Sequence, residues 1–207
     1  MRHTIISSNL NDNPVEFDVE GIMAVDQGAF EMFTFEIMQG SPDAFSSAIS
    51  SVAISESTAT KFFGLGNPIG EVIKLNGTTD FVVSSVFKDW PDNSHFHPEI
   101  LVQMKHMEEI KVIRPYLHFI GGSSTYNYIR IDPKSRIEDL QSKLDEFVNQ
   151  SKREQDYADT KLHLMPFENI HLEAYHLFQD MAEVKNGKTL KLLLVLAILV
   201  ILMAWAN

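Results

Sequence analysis

Cysteine is absent from all 207 residues of this chain, so a thiol nucleophile, a thiolate zinc site, an iron–sulfur centre and any disulfide are excluded. Compartment stays open, since oxidising and reducing locations both tolerate a chain without thiols. Basic residues are scarce as well: 17 Lys and Arg stand against 28 Asp and Glu, a formal net charge of -11, with no long basic stretch. Affinity for a phosphate backbone comes chiefly from Lys and Arg, which argues against a nucleic-acid partner. The opening MRHTIISSNLNDNP lacks the apolar core of about seven to fifteen residues that a secretory signal requires. Internal repeats, low-complexity tracts and Pro/Gly/Ser linkers are missing too. What remains is 44% hydrophobic and 22% charged, the composition of a folded protein, and a body of this length buries roughly 70% of its unfolded surface.

One long apolar run breaks the pattern. Leu192 to Ala206 is apolar throughout and follows Leu190 and Lys191. At ~1.5 Å per residue this stretch spans roughly 22 Å of a ~30 Å hydrocarbon core, long for a surface helix and short for a complete span. Residues 190–207 therefore read as the start of a transmembrane helix, with Leu192, Leu196, Leu199 and Trp205 as membrane-facing positions. A buried core helix is the alternative.

The remainder alternates strand and helix. Val15, Phe17 and Val19 alternate with acidic residues, the period of a half-buried strand, and Gly21 marks a bulge or its end. Asp26 stands where a helix N-cap belongs, ahead of Ala29, Phe30 and Phe33, and FEIMQG suggests a further strand. Val52–Ile54 reads as a short strand, after which Ser55 caps a helix with Glu56 in its first turn. Ala59, Phe62 and Phe63 share one face of that helix, and Gly64 fits just past its end. Asn67, Pro68 and Gly70 form a turn, and Asn76-Gly77 joins EVIKL to DFVVSSVF as a tight hairpin. Further on, the pattern suggests a helix over Glu99–Ile113, a strand over Thr125–Asp132, a helix over Arg136–Gln150 entered by a Ser135/Glu138 capping box, and a short strand before Pro166. The fold class expected is α+β in two lobes: a hairpin-bearing lobe over 26–98, and a second from 1–25 and 99–165.

A search for chemistry ends without a catalytic constellation. Gly64–Gly70 follows a helix and enters a strand, the reverse of a dinucleotide fingerprint, and lacks the G-K-[ST] of a P-loop. His95 and His97 suit metal ligation only if a third ligand joins them, and none is signposted. Gly121–Thr125 lacks the flanks of a nucleophile elbow. Glu108, Glu109, Asp139, Asp145 and Glu146 lie on the polar sides of expected helices, as a solvated face does, and Met165, Pro166, Phe167, Ile170 and Leu172 make an apolar path toward the tail. No cofactor is called for.

Four stretches carry a family resemblance when taken in order: VDQGAFEMFTFEIMQG from Val25, VAISESTATKFFGLGNPIGEVIKL from Val52, DFVVSSVFKDWPDNSHF from Asp80 and LMPFENIHL from Leu164. Together with the apolar tail they resemble the MacB-like periplasmic core domain of FtsX-type permeases, the membrane subunits of a class of ABC transporters. The resemblance implies a two-lobed extracytoplasmic domain over 1–189: a porter-like α/β lobe, an inserted β-rich lobe at 26–98 and a connector at 166–189. It implies a non-catalytic role in transmitting motion for export, lipoprotein release or partner control. An ABC ATPase subunit, a second permease copy, membrane lipid and a periplasmic partner are the expected company, at the inner membrane. On this view Ser55, Ala59, Phe62, Phe63, Gly64, Pro68, Gly70, Asn76, Gly77, Pro91, Asn93, Ser94 and His95 form structural motifs rather than a reaction site. The family's first transmembrane helix is missing here, so a piece of a longer permease is expected. Lys185, Lys188 and Lys191 run against the family's topology by the positive-inside tendency, and the alternative, a tail-anchored binding or scaffold protein facing the cytoplasm, rests on the lack of a signal together with the C-terminal apolar run. A hydrolase is the third class, resting on the Gly-Ser loop and the SHFH pair alone.

Overall fold

The computed structural model describes residues 4–8, 15–19, 21–75, 79–109, 125–151, 161–170 and 187–206. They divide into two compact units, one of residues 1–92 and 97–119, the other of 93–96 and 120–207.

The first unit is a mixed sheet. Its strands are β1 (Thr4–Ser8), β2 (Val15–Val19), β3 (Ile22–Val25), β4 (Ile37–Gly40), β5 (Ser51–Ser55), β6 (Val72–Leu75), β7 (Thr79–Phe87) and β8 (Ile100–Gln103). They lie in the order β2-β1-β6-β7-β5-β8-β3, with β4 also on β7. Pairs β5/β7 and β3/β8 are parallel, and the others antiparallel. The sheet thus draws strands from both expected lobes. Three short helices, α1 (Ala29–Met32), α2 (Pro42–Ser47) and α3 (Glu56–Phe63), lie in the connections, and α4 (Met104–Glu109) follows β8.

Both faces of the sheet are covered, which explains why its central strands are apolar without strict alternation. On one face Val52, Ile54, Ile73, Phe81, Val83, Ile100 and Val102 pack with Phe62 and Phe63 of α3. On the other, Ala53, Phe87 and Leu101 pack with Phe45 of α2, supported by Phe30, Phe35 and Trp90. Alternation along β7 slips once. Val52 pairs with Val83 but Ala53 with Ser85, so an extra residue is accommodated and Val83 and Val86 face the same core. Gly40 lies against this bulge with a φ of 73°, and a Cβ there would run into the Ser84 carbonyl. Only glycine meets both demands.

Local signals explain several elements. Ser55 ends β5 and caps α3, its Oγ accepting from Thr58 N at 3.2 Å, and Gly64 closes α3 with a φ of 60°. Asn67 Oδ1 accepts from Ile69 N, and Gly70, with a φ of 87°, donates to the Val83 carbonyl. Gly21 separates β2 from β3, where a Cβ would press on the His97 carbonyl and Glu99 N. Strands β6 and β7 pair antiparallel from Leu75↔Thr79 to Val72↔Val82, as a hairpin does; Asn76 and Gly77 lie outside the described residues.

Four expectations are corrected. Asp26 is not the cap of α1: Gly28 takes that position and Asp26 contributes only its carbonyl, accepting from Ala29 N. The segment from Glu99 opens with a strand rather than a helix, because Ile100–Gln103 is buried on both sheet faces between β5 and β3, and helix begins only at Met104. Residues 125–132 and 161–166 have strand-like sequence but form no strand. None of the described strands pairs with either segment, and alternation alone does not supply a partner.

In the second unit, α5 (Ile137–Ser151) begins one residue after the expected start. Gln141 on this helix donates to the Leu162 carbonyl at 2.8 Å and accepts from Leu164 N at 3.2 Å, so a side chain does for the extended segment what a neighbouring strand would. A 3-10 turn at Phe167–Asn169 follows, and α6 (Gly187–Ala206) closes the described chain.

Candidate functional site

Two features of the second unit stand out from ordinary packing. The first is α6. Twenty residues at ~1.5 Å each make about 30 Å, the thickness of a hydrocarbon core. Its window Thr189–Ala206 has a mean hydropathy of 2.5 and none of it is buried, so Leu192, Leu196, Leu199 and Trp205 are all exposed. A helix apolar all round satisfies its own backbone and leaves its side chains to lipid or to other helices. It starts at Gly187, a turn earlier than the apolar run suggests.

The second is the segment Asn93–Phe96. His95 is 6% exposed and Phe96 3%, although both lie in a short connection between strands. The His95 Nε2 lies 2.7 Å from the Tyr128 hydroxyl, a hydrogen bond whose direction follows the imidazole tautomer. Three rings meet the imidazole edge-on, Phe96 at 4.3 Å, Phe167 at 5.1 Å and Tyr128 at 5.6 Å between centroids. Burial foremost, and the neighbouring Tyr126, push the Tyr128 phenol up to about 12. A phenol kept neutral in this way holds geometry and carries no charge. His97 is exposed and belongs to the first unit, and among the described residues no three His, Asp or Glu are grouped to hold a metal.

Of the other expected motif residues, Asn76 and Gly77 lie outside the described residues. Ser55, Phe62, Phe63 and Pro68 are buried, Ala59 is half-buried, and Gly64 and Gly70 turn the chain at positive φ. Pro91 and Asn93 are exposed, while Ser94 Oγ accepts from Phe96 N at 3.4 Å. Sequence reasoning missed Tyr128 and Phe167 as partners of His95. Both lie in stretches already singled out, TYNYIRID and LMPFENIHL, but a contact across 33 residues leaves no local signal.

Residues 3–147 match the family described as the MacB-like periplasmic core domain. The chain belongs to that family. It is therefore a periplasmic domain of the ABC-transporter permease family, with a helix long and apolar enough to cross a membrane. Among solved structures, a domain of a protein described as a permease, from Porphyromonas gingivalis, is similar at a TM-score of 0.51 and 18% identity, covering 79% of each chain. The periplasmic region of MacB from Actinobacillus actinomycetemcomitans gives 0.49 at 13% identity over 77% of this chain and 74% of that one. The extracellular domain of the noncanonic ABC-type transporter YknZ from Gram-positive bacteria gives 0.36 at 14%, over 52% and 57%. The first likeness shows a shared fold, a mixed sheet with helices on it, and no more. No curated protein matches this MacB-like core domain.

Proposed function

We propose that this domain is the non-catalytic, motion-transmitting part of an inner-membrane ABC permease. Its globular body stands on the periplasmic side, a separate or fused ATPase hydrolyses ATP, and two permease copies work as a dimer. The observation that carries this reading is the pairing, in one chain of this family, of a sheet packed on both faces with a long apolar helix that none of the described residues buries. A sheet unit of that kind moves as a body because packed cores do not deform continuously, and a membrane helix is the part that an ATPase across the bilayer can displace. Export, lipoprotein release and control of a periplasmic partner all fit such a device. Leu65, at 106% exposure in the Gly64–Gly66 loop, offers a site for a reporter that leaves the core intact. Spin labels on Leu65→Cys in both copies of the reconstituted transporter are expected to change separation between the nucleotide-free and ATP-trapped states. An unchanged distance contradicts motion transmission, and the absence of any dipolar signal contradicts the dimer.

A further inference from the structure

Among the described strands, β2, β3 and β4 each pair on one side only. An open edge offers unpaired N–H and C=O groups to any other strand, and folded proteins blunt it with charge, proline or a bulge. β2 is blunted by charge: its sequence VEFDV would set Glu16 of one copy opposite Asp18 of another, and like charges facing one another across a pair repel. β4 is blunted by the slip in its register between Ile37 and Gln39. β3 has neither device. Its sequence is IMAV, its register against β8 runs without a slip from Ile22↔Ile100 to Val25↔Gln103, and its side chains are half-buried.

The backbone groups that β3 leaves open follow from its ladder. The Gly21 carbonyl faces β8, accepting from Glu99 N at 2.7 Å and Ile100 N at 3.0 Å. Backbone direction alternates along a strand, so Met23 and Val25 also face β8, and Ile22 and Ala24 turn their N–H and C=O outward. Side chains alternate as well: Ile22 and Ala24 lie against the core beneath α3, Met23 and Val25 against the core beneath α2.

We propose that β3 is where two copies of this chain join, each pairing antiparallel with its own equivalent about a two-fold axis through Met23. In that register Ile22 of each copy exchanges both backbone bonds with Ala24 of the other, so every outward group of the strand is used. Ile22 then stands beside Ala24 and Val25 beside Gly21, large against small. With a net charge of -11 on each copy, an uncharged edge is where joining costs least. This deepens the dimeric reading above by naming its surface, and rests on that reading for the presence of two copies.

Oxidation of single-cysteine variants of the full chain in detergent tests it, since the sequence has no cysteine of its own. Met23 faces its equivalent in a non-hydrogen-bonded pair, where Cα atoms lie about 4.5 Å apart, inside the range of about 4.4–6.8 Å that a disulfide spans. Val25 and its equivalent are about 14 Å apart in the same pairing. Met23→Cys is therefore expected to convert most of the chain to a disulfide-linked dimer, and Val25→Cys to cross-link at least about tenfold more slowly. Ala24→Pro removes one outward N–H and spares the ladder to β8, and in the Met23→Cys background it is expected to lower the cross-linked yield about tenfold. The contrast between positions 23 and 25 stands without the proline variant. The proposal is overturned if Val25→Cys cross-links as fast as Met23→Cys, if Ala24→Pro leaves the yield unchanged, or if light scattering gives the mass of a dimer while Met23→Cys stays reduced. This last result leaves the dimeric reading standing, whereas a monomer mass overturns both.

Discussion

The two units are held together by different means. In the sheet unit, side chains from β5, β7 and β8 are buried on both faces, in two separate clusters. In the other unit His95, Phe96 and Val148 are buried, while Ile129, Ile137, Phe147 and Phe167 are each more than half exposed. Its described segments are tied by polar bridges, Gln141 to the backbone at Leu162 and Leu164 and His95 to Tyr128. Cohesion in the first is hydrophobic and distributed. Among the described residues of the second, directed bonds stand beside a smaller set of buried side chains.

Substitutions of matched chemistry sharpen the contrast. Phe87→Ala, at a fully buried ring in edge contact with Phe35, is expected to cost about 3–5 kcal/mol in chemical denaturation, whereas Ile137→Ala on α5 costs about 1 kcal/mol or less. Equal losses would erase the distinction. Leu199→Arg tests the helix that neither core covers: an arginine near the centre of a span costs about 2.5–3.5 kcal/mol of insertion, and carbonate extraction should release protein that the parent sequence keeps in the membrane. Ser55→Ala, at the junction of β5 and α3, should lower stability by about 1 kcal/mol without changing the fold, visible as a shifted denaturation midpoint with an unchanged slope.

The smallest effect is a titration. Burial favours the neutral phenol of Tyr128, so folding stability from this group is constant below the ordinary value of 10.0 and declines as pH rises from there toward 12. Phenolate absorbance of the folded protein should contain a component centred near 12 that disappears in Tyr128→Phe. A titration with no such component would place Tyr128 in water.

Much of the sheet unit was readable because its signals are local. Ser55, the Ala59–Phe62–Phe63 face and Gly64 each act within a turn of their neighbours, and the structure has them as cap, packed face and C-cap. Strand β8 was not readable, since Ile100–Gln103 is buried on both faces and an unalternating apolar stretch beside a helical one has no period of its own. Residues 125–132 misled in the opposite direction: they alternate, but a strand needs a partner and none of the described strands provides it. The tail was legible from composition alone, although the helix starts at Gly187 because backbone bonds, not hydropathy, decide where a helix begins. The His95–Tyr128–Phe167 cluster was invisible for a third reason, that it is assembled from three distant stretches which only tertiary structure brings together.

The central claim is that the sheet unit stands outside the membrane that α6 enters. Because these residues contain no cysteine, Leu65→Cys gives them a single thiol at a fully exposed loop. Intact spheroplasts expressing the membrane-embedded permease are treated with a membrane-impermeant maleimide, before and after permeabilisation. Full labelling of Cys-substituted position 65 in the intact spheroplasts is the result this account predicts. Labelling only after the membrane is breached would put the sheet unit in the cytoplasm and contradict it.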